Sequence, residues 1–248
     1  MRVLARSFAV QGSWNYRSLI GTGFLFSLLP ALREIYADQP EEFKEATRRH
    51  SALFNSHPYL APLALGAVVA MEQQGEDPRL IERFKTAVCG SLGGLGDRLI
   101  WAGWRPACLL LALIVLLAGA PWWLGVLGFL VVYNAGHLLV RCWAYGIGLR
   151  EGKAVGERLR SSGVIGISRG LGRFGAFLVG FGLPLVASGN FLASLDGAGE
   201  VAQLSWLWVV LAGGAAVIGL RWGAAVRTPI VLALAVFVGL GIALKGFL

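Results

Sequence analysis

Of 248 residues, 56% are hydrophobic and only 15% charged, well under the roughly 25% charge usual in soluble domains. With a mean hydropathy of +0.66, that composition excludes an ordinary soluble fold and indicates an all-α, polytopic integral membrane protein. The net charge of +8 is no nucleic-acid signature: residues 1–106 carry twelve Lys/Arg against ten Asp/Glu, and residues 107–248 carry ten against four, flanking apolar segments as positive-inside loops do.

Arg2, Arg6 and Arg17 alternate with apolar residues at near-helical spacing, which predicts an amphipathic helix at the bilayer interface. No cleavable signal peptide is expected there, because the stretch lacks a continuous apolar core. Within it, Gln11, Trp14 and Asn15 form a polar and aromatic cluster. Amides beside aromatic rings suit sugar hydroxyls and C–H faces, and they equally suit a membrane interface. Residues 18–32 are apolar but too short to cross a bilayer as a helix, so a re-entrant or buried helix is expected. Residues 33–50 are charged. Asp38 and Pro40 mark a helix start, acids follow in the first turn and Arg48, Arg49 and His50 close the segment, predicting a solvated helix whose charges face water.

Pro58 disfavours helical geometry at His57, so Asn55, Ser56 and His57 are expected on broken backbone ahead of the apolar run ending at Glu72. Gly75 to Pro78 reads as a turn into a second short charged helix, Arg79 to Ala87. The stretch 90–106, GSLGGLGDRLIWAGWRP, organises the rest. Its glycines permit close approach or departure from regular helix, and Asp97 is a lone acid at the mouth of membrane-embedded sequence. The plain reading is a loop with Asp97 as helix N-cap and Trp101 and Trp104 as interfacial belt.

Between Arg105 and Arg141 the only ionisable side chains are Cys108, Tyr133 and His137. One helix of that length would overshoot the bilayer, so residues 107–149 are read as a transmembrane hairpin turning near Ala118–Trp123. Asn134 and His137 are polar at membrane depth, with helix–helix hydrogen bonding as their expected use. Residues 150–173 form a basic cytoplasmic loop loosened by Gly166, Gly170 and Gly172, and residues 174–248 hold C-terminal transmembrane segments. Cys89, Cys108 and Cys142 have no paired spacing and form no metal pattern with His50, His57 and His137, so no disulfide framework, metal or cofactor is expected.

Three separated strings resemble one family: QGSWNY at 11–16 with GFLFSLLPALREIY at 23–36, RRHSALFNSHPYLAPLALGAVVAMEQ at 48–73, and GSLGGLGDRLIWAGWRP at 90–106. They resemble the IID component of mannose-family phosphotransferase system permeases, over most of residues 7–180. The resemblance implies a subunit of the bacterial inner membrane that pairs with a IIC subunit to move a hexose or amino sugar inward, while soluble IIA and IIB carry the phosphate. It implies a trimer of IIC–IID pairs and no catalytic residue in this chain. Its motif positions fall on Gln11, Trp14, Asn15, Asn55, His57, Pro58, Glu72, Gly96, Asp97, Trp101, Arg105 and Pro106. Of these Asn15, Asn55, Glu72 and Asp97 would line or support the broken-helix centre of the core, with Arg98 or Arg105 pairing Asp97. The chain departs from the family pattern at Arg17, Gln73 and Arg98; the alternative reading is a diverged, non-transporting scaffold that binds a IIC-like partner.

Overall fold

A computed structural model describes residues 1–161 and 163–187, and among them regular secondary structure is helical. The helices are α1 (Arg2–Arg6), α2 (Gly21–Ile35), α3 (Pro40–Ser51), α4 (Ala61–Gln73), α5 (Pro78–Gly96), α6 (Arg105–Leu117), α7 (Trp122–Glu151), α8 (Val155–Ser161) and α9 (Val164–Ala187). A π-helical segment, Asp97–Trp104, joins α5 to α6 without a break. The expected segments at 204–220 and 228–244 lie outside the described residues.

The chain divides into two compact units: residues 1–105 with 130–169, and residues 106–129 with 170–248. At the centre of the first unit lies α4, every residue of which from Ala61 to Glu72 is buried. A 13-residue helix apolar on all sides is a core helix by length and composition. It packs on α2, α5 and the 3-10 turn at Gly152–Ala154, while α2 in turn packs on α1 and α3. The C-terminal part of α7 reaches α4 through a glycine pair. A Cβ on Gly66 would lie 2.4 Å from the Tyr145 carbonyl oxygen, and one on Gly148 would lie 2.2 Å from that of Leu63. Both clashes are with backbone, which cannot rotate away as a side chain can. We expect Gly66→Ala to cost about 1–3 kcal/mol, read as a lower melting temperature of the purified chain; an unchanged melting temperature would contradict this contact.

In the second unit, α6 and the start of α7 are joined by residues 118–121, with Gly119 at φ +89, a left-handed conformation that suits glycine. Leu116 then seats against Gly125. Two stretches, Pro78–Leu117 and Trp122–Ser161, are long and apolar enough to cross a membrane. Leu109, Leu111 and Leu113 on α6 and Leu124, Leu127, Val131 and Leu139 on α7 are exposed. In water such a surface would be an aggregation site, whereas acyl chains solvate it.

Several sequence expectations are corrected here. The amphipathic segment at 1–17 is helical only through Ala9, ending in a 3-10 turn at Ser7–Ala9. Arg79–Ala87 is no short helix but part of α5, and the glycine-rich 90–106 stretch is no loop: the helix runs through it, and Asp97 is an interior residue instead of an N-cap. Residues 152–161 and 164–173 are helical too, and α9 passes straight through Gly166, Gly170 and Gly172. A glycine costs only about 1 kcal/mol in a helix interior, which intervening apolar residues offset.

Candidate functional site

Three backbone irregularities meet in the first unit: the turn at 11–20, the extended loop at 52–60 and the π segment. Asn15 builds the first. Its Oδ1 accepts the backbone N–H groups of Arg17 (3.0 Å) and Ser18 (2.9 Å), and its Nδ2 donates to the Ser13 carbonyl (3.1 Å) and to Ser18 Oγ (2.9 Å). The side chain thus closes a turn on its own backbone. Beyond it Leu19 takes φ +54 and pairs with both Asn15 and Phe54 in isolated bridges. The Ile20 N–H donates to the Phe54 carbonyl (3.0 Å) and the Phe54 N–H to that of Ser18 (3.2 Å), which ties the turn to the loop.

The loop is anchored to α5 one residue later. The Asn55 N–H donates to Cys89 Sγ (3.1 Å) and the thiol donates to the Asn55 carbonyl (2.6 Å), leaving the Asn55 side chain exposed. His57 follows, 2% exposed, and presses on the helix where Gly96 leaves room: a Cβ there would lie 2.2 Å from His57 Cβ. The His57 ring meets those of Tyr59 and Trp101 edge to face, with centroids 5.2 and 5.6 Å away. Arg105 stacks over Trp101 at 4.3 Å, a cation–π contact. Neither Arg98 nor Arg105 forms an ion pair with Asp97 among the described residues, contrary to expectation; Arg105 is held by the tryptophan instead. Asp97, Trp101, Gln11 and Trp14 are exposed, and Trp14 packs edge-on against Tyr16 at 4.8 Å.

His57 is neutral. Burial pushes its pKa down to about 4, against the opposing pull of Asp97. Its Nδ1 accepts the Tyr59 N–H (3.2 Å), so Nε2 carries the proton, and that nitrogen is buried with no hydrogen-bond partner among the described residues. Tyr59 continues the cluster onto α7. Its ring stacks on His137 at 4.4 Å and its hydroxyl lies 2.7 Å from that of Tyr133. Arg141, 4% exposed, donates to His137 Nε2 (2.9 Å) and to the Ser7 carbonyl (3.1 Å), with its guanidinium 4.6 Å over Phe8. Tyr59, Tyr133 and Arg141 were not singled out from sequence. Arg141 carries a usable signal, since a base well inside the end of a long apolar helix points inward by default. Among the described residues Asn134 bonds its own helix, at the Leu130 carbonyl (2.7 Å).

Glu72 sits elsewhere. The α4 helix separates it from His57 by about 18 Å of rise, and it is 3% exposed. Oε1 accepts from Arg49 Nε (2.9 Å) and His50 Nε2 (2.6 Å); Oε2 accepts from Arg49 Nη2 (2.6 Å) and the Tyr36 hydroxyl. Four donors fill the acceptor capacity of a carboxylate, leaving none for a ligand. Lys85 Nζ on α5 adds a bond to the Arg49 carbonyl (2.8 Å), so Tyr36 just after α2 and Arg49 and His50 of α3 meet the buried charge of α4, with α5 tied to α3 beside it. The expectation that the α3 charges only face water is therefore corrected: Arg49 and His50 turn inward to this carboxylate.

Burial alone would raise the pKa of Glu72, but bonds from His50, Arg49 and Tyr36 outweigh it and hold the carboxyl down at about 2. Burial pushes His50 down to about 4 and, with the neighbouring carboxylate, raises Tyr36 to about 12. A folded pKa below the unfolded one means that the unfolded chain takes up the proton first. Through these groups, stability is therefore complete above pH 6.5, declines as pH falls toward 4 through His50 and His57, and declines further between 4.5 and 2 through Glu72. Tyr36, shifted upward, costs stability only above pH 10. Melting curves from pH 8 to 4 should show a plateau and then a fall below about 6.5 that His50→Gln makes shallower, with His57 supplying the remainder; a profile flat to pH 4 would contradict this.

Among the described residues no three His, Cys, Asp or Glu side chains group as a metal site. The junction of the turn, the loop and the π segment offers instead an exposed amide, an exposed carboxylate and an exposed indole on rigid supports. The profile of the phosphotransferase system mannose/fructose/sorbose family IID component matches residues 1–192. The mannose-specific EIID component of Escherichia coli K12 is 31% identical over 199 residues, covering 75% of this chain and 70% of that one. The sorbose-specific EIID component of Lacticaseibacillus casei is 28% identical over 191 residues, covering 72% and 67%. A cryo-EM structure of the mannose transporter ManYZ in complex with microcin E492 contains a chain matched with a TM-score of 0.58 at 25% identity, over 98% of this chain and 93% of that one. With its three motif strings lying within the matched span, the chain belongs to the mannose/fructose/sorbose family of phosphotransferase system IID components, membrane subunits of a sugar permease.

Proposed function

We propose that this IID chain pairs with a IIC subunit in the bacterial cytoplasmic membrane, as a trimer of such pairs, and forms with it the inward path of a hexose or amino sugar phosphorylated by IIA and IIB. The observation that carries the site assignment is the convergence of the 11–20 turn, the 52–60 loop and the π segment. π-helical turns inside α-helices recur at functional sites, and irregular backbone at membrane depth is tolerated where it is buried or lines a cavity. On this reading Asn55, Asp97 and Trp101 face the sugar path. Asn15, His57 and Gly96 hold the backbone that carries them, and Glu72 is a clamp distant from the path.

Asn55 provides the test, because its side chain is exposed while its backbone makes the anchoring bonds to Cys89. Asn55→Ala should leave the amount of complex copurified with tagged IIC unchanged and lower sugar uptake about tenfold, as for one lost hydrogen bond. Unchanged uptake would remove Asn55 from the path. Copurification without any sugar uptake by the native chain would favour the non-transporting scaffold.

A further inference from the structure

Residues 150–169 contain five Lys/Arg and two Asp/Glu; they begin within the last part of Trp122–Ser161, a stretch long and apolar enough to span a membrane, and run past its end. Lys153 is engaged by Glu76 at 2.7 Å and Arg158 lies 3.7 Å from Glu151. Arg160 and Arg169 are exposed and have no acidic partner among the described residues. Val155 at the start of α8 and Val164 at the start of α9 are buried, whereas Ile165 is 47% and Ile167 57% exposed. A Cβ built on Gly156, Gly163 or Gly166 meets no heavy atom within 4 Å, so the segment is open at these three positions. Uncovered isoleucines do not suit water, and free guanidinium groups do not suit acyl chains. The headgroup boundary of a bilayer accommodates both.

We propose that residues 155–161 and 163–169 dock acidic phospholipid, with Arg160 and Arg169 taking headgroup phosphates and Ile165 and Ile167, on opposite sides of α9, both lying among the upper acyl carbons. A planar guanidinium binds phosphate oxygens in bidentate fashion, and each base at an anionic surface is worth about a fivefold preference. An acidic protein would satisfy the arginines equally well. The interleaved exposed isoleucines favour the lipid.

The full-length chain, purified with its IIC partner and exchanged into nanodiscs of phosphatidylcholine and phosphatidylglycerol, provides the test. Retained lipid is read by native mass spectrometry. The wild type should retain phosphatidylglycerol over phosphatidylcholine, and that preference should fall as salt is raised. Arg160→Gln and Arg169→Gln should each lower it about fivefold, whereas Arg160→Lys and Arg169→Lys keep most of it. A wild-type preference indifferent to salt, or a double Gln variant that retains acidic lipid as well as the wild type does, would overturn the proposal. So would a soluble IIA or IIB protein binding through these arginines without any lipid preference. Because lipid retention is read without sugar, failure here leaves the transport reading untouched.

Discussion

Glu72→Gln should unfold the purified chain at a markedly lower temperature. The carboxylate is the one acceptor shared by Arg49, His50 and Tyr36, and removing its charge leaves the Arg49 guanidinium, whose side chain is 9% exposed, without a counter-ion. Breaking one side of a buried pair costs about 3–5 kcal/mol, or about 10 °C in melting temperature for a chain of this size. The loss should fall on stability and assembly, with uptake per assembled complex nearly preserved, because no acceptor of Glu72 is free to meet a sugar. Glu72→Leu combined with Arg49→Met should recover part of the loss, since removing both charges abolishes the unpaired one. A Glu72→Gln chain that melts like the wild type but takes up no sugar would reverse the assignment and place Glu72 on the path.

Gly96→Ala should act in the opposite manner, with a moderate stability loss and a large loss of uptake. The added methyl would fall 2.2 Å from His57 Cβ and 2.3 Å from Cγ, and His57 is held from behind by Tyr59 and Trp101. Either the loop or the π segment must shift, at about 1–3 kcal/mol of overpacking. A displacement of about 1 Å at a positioned site is worth about a hundredfold in rate. Because the clash is with Cβ, His57→Ala cannot relieve it, whereas His57→Gly can. In the His57→Gly background Gly96→Ala should therefore cost little further melting temperature, in contrast to its cost in the wild type. Uptake equal to wild type in Gly96→Ala alone would contradict this account of the junction.

How much of this could be read along the chain follows from the range of the interactions concerned. Pro40 with its acids in the first turn, the turn before Pro78 and the apolar gap after Arg105 are local signals, and the elements lie where those signals put them. The polar strings around Asn15, Asn55 and Asp97 were recognisable as strings. The partners of Glu72 were not: they stand 36, 23 and 22 residues upstream, and nothing in the α3 pattern separates Arg48, which pairs with Glu45 on the surface, from Arg49, which turns inward. Glycines at 93, 94 and 96 argued for broken backbone, yet the helix continues because Leu92, Leu95, Leu99 and Ile100 are buried on one side of it. The departure from α geometry comes one residue after Gly96, as π-helical turns. That kind of irregularity keeps the chain helical, so residue type does not announce it.

Cells lacking their own mannose permease, supplied with the cognate IIC and the soluble IIA and IIB, should take up radiolabelled hexose or amino sugar and accumulate its phosphate only when this chain is present. Uptake and sugar phosphate at the same level without the chain, or none with a stable complex containing it, would contradict the account.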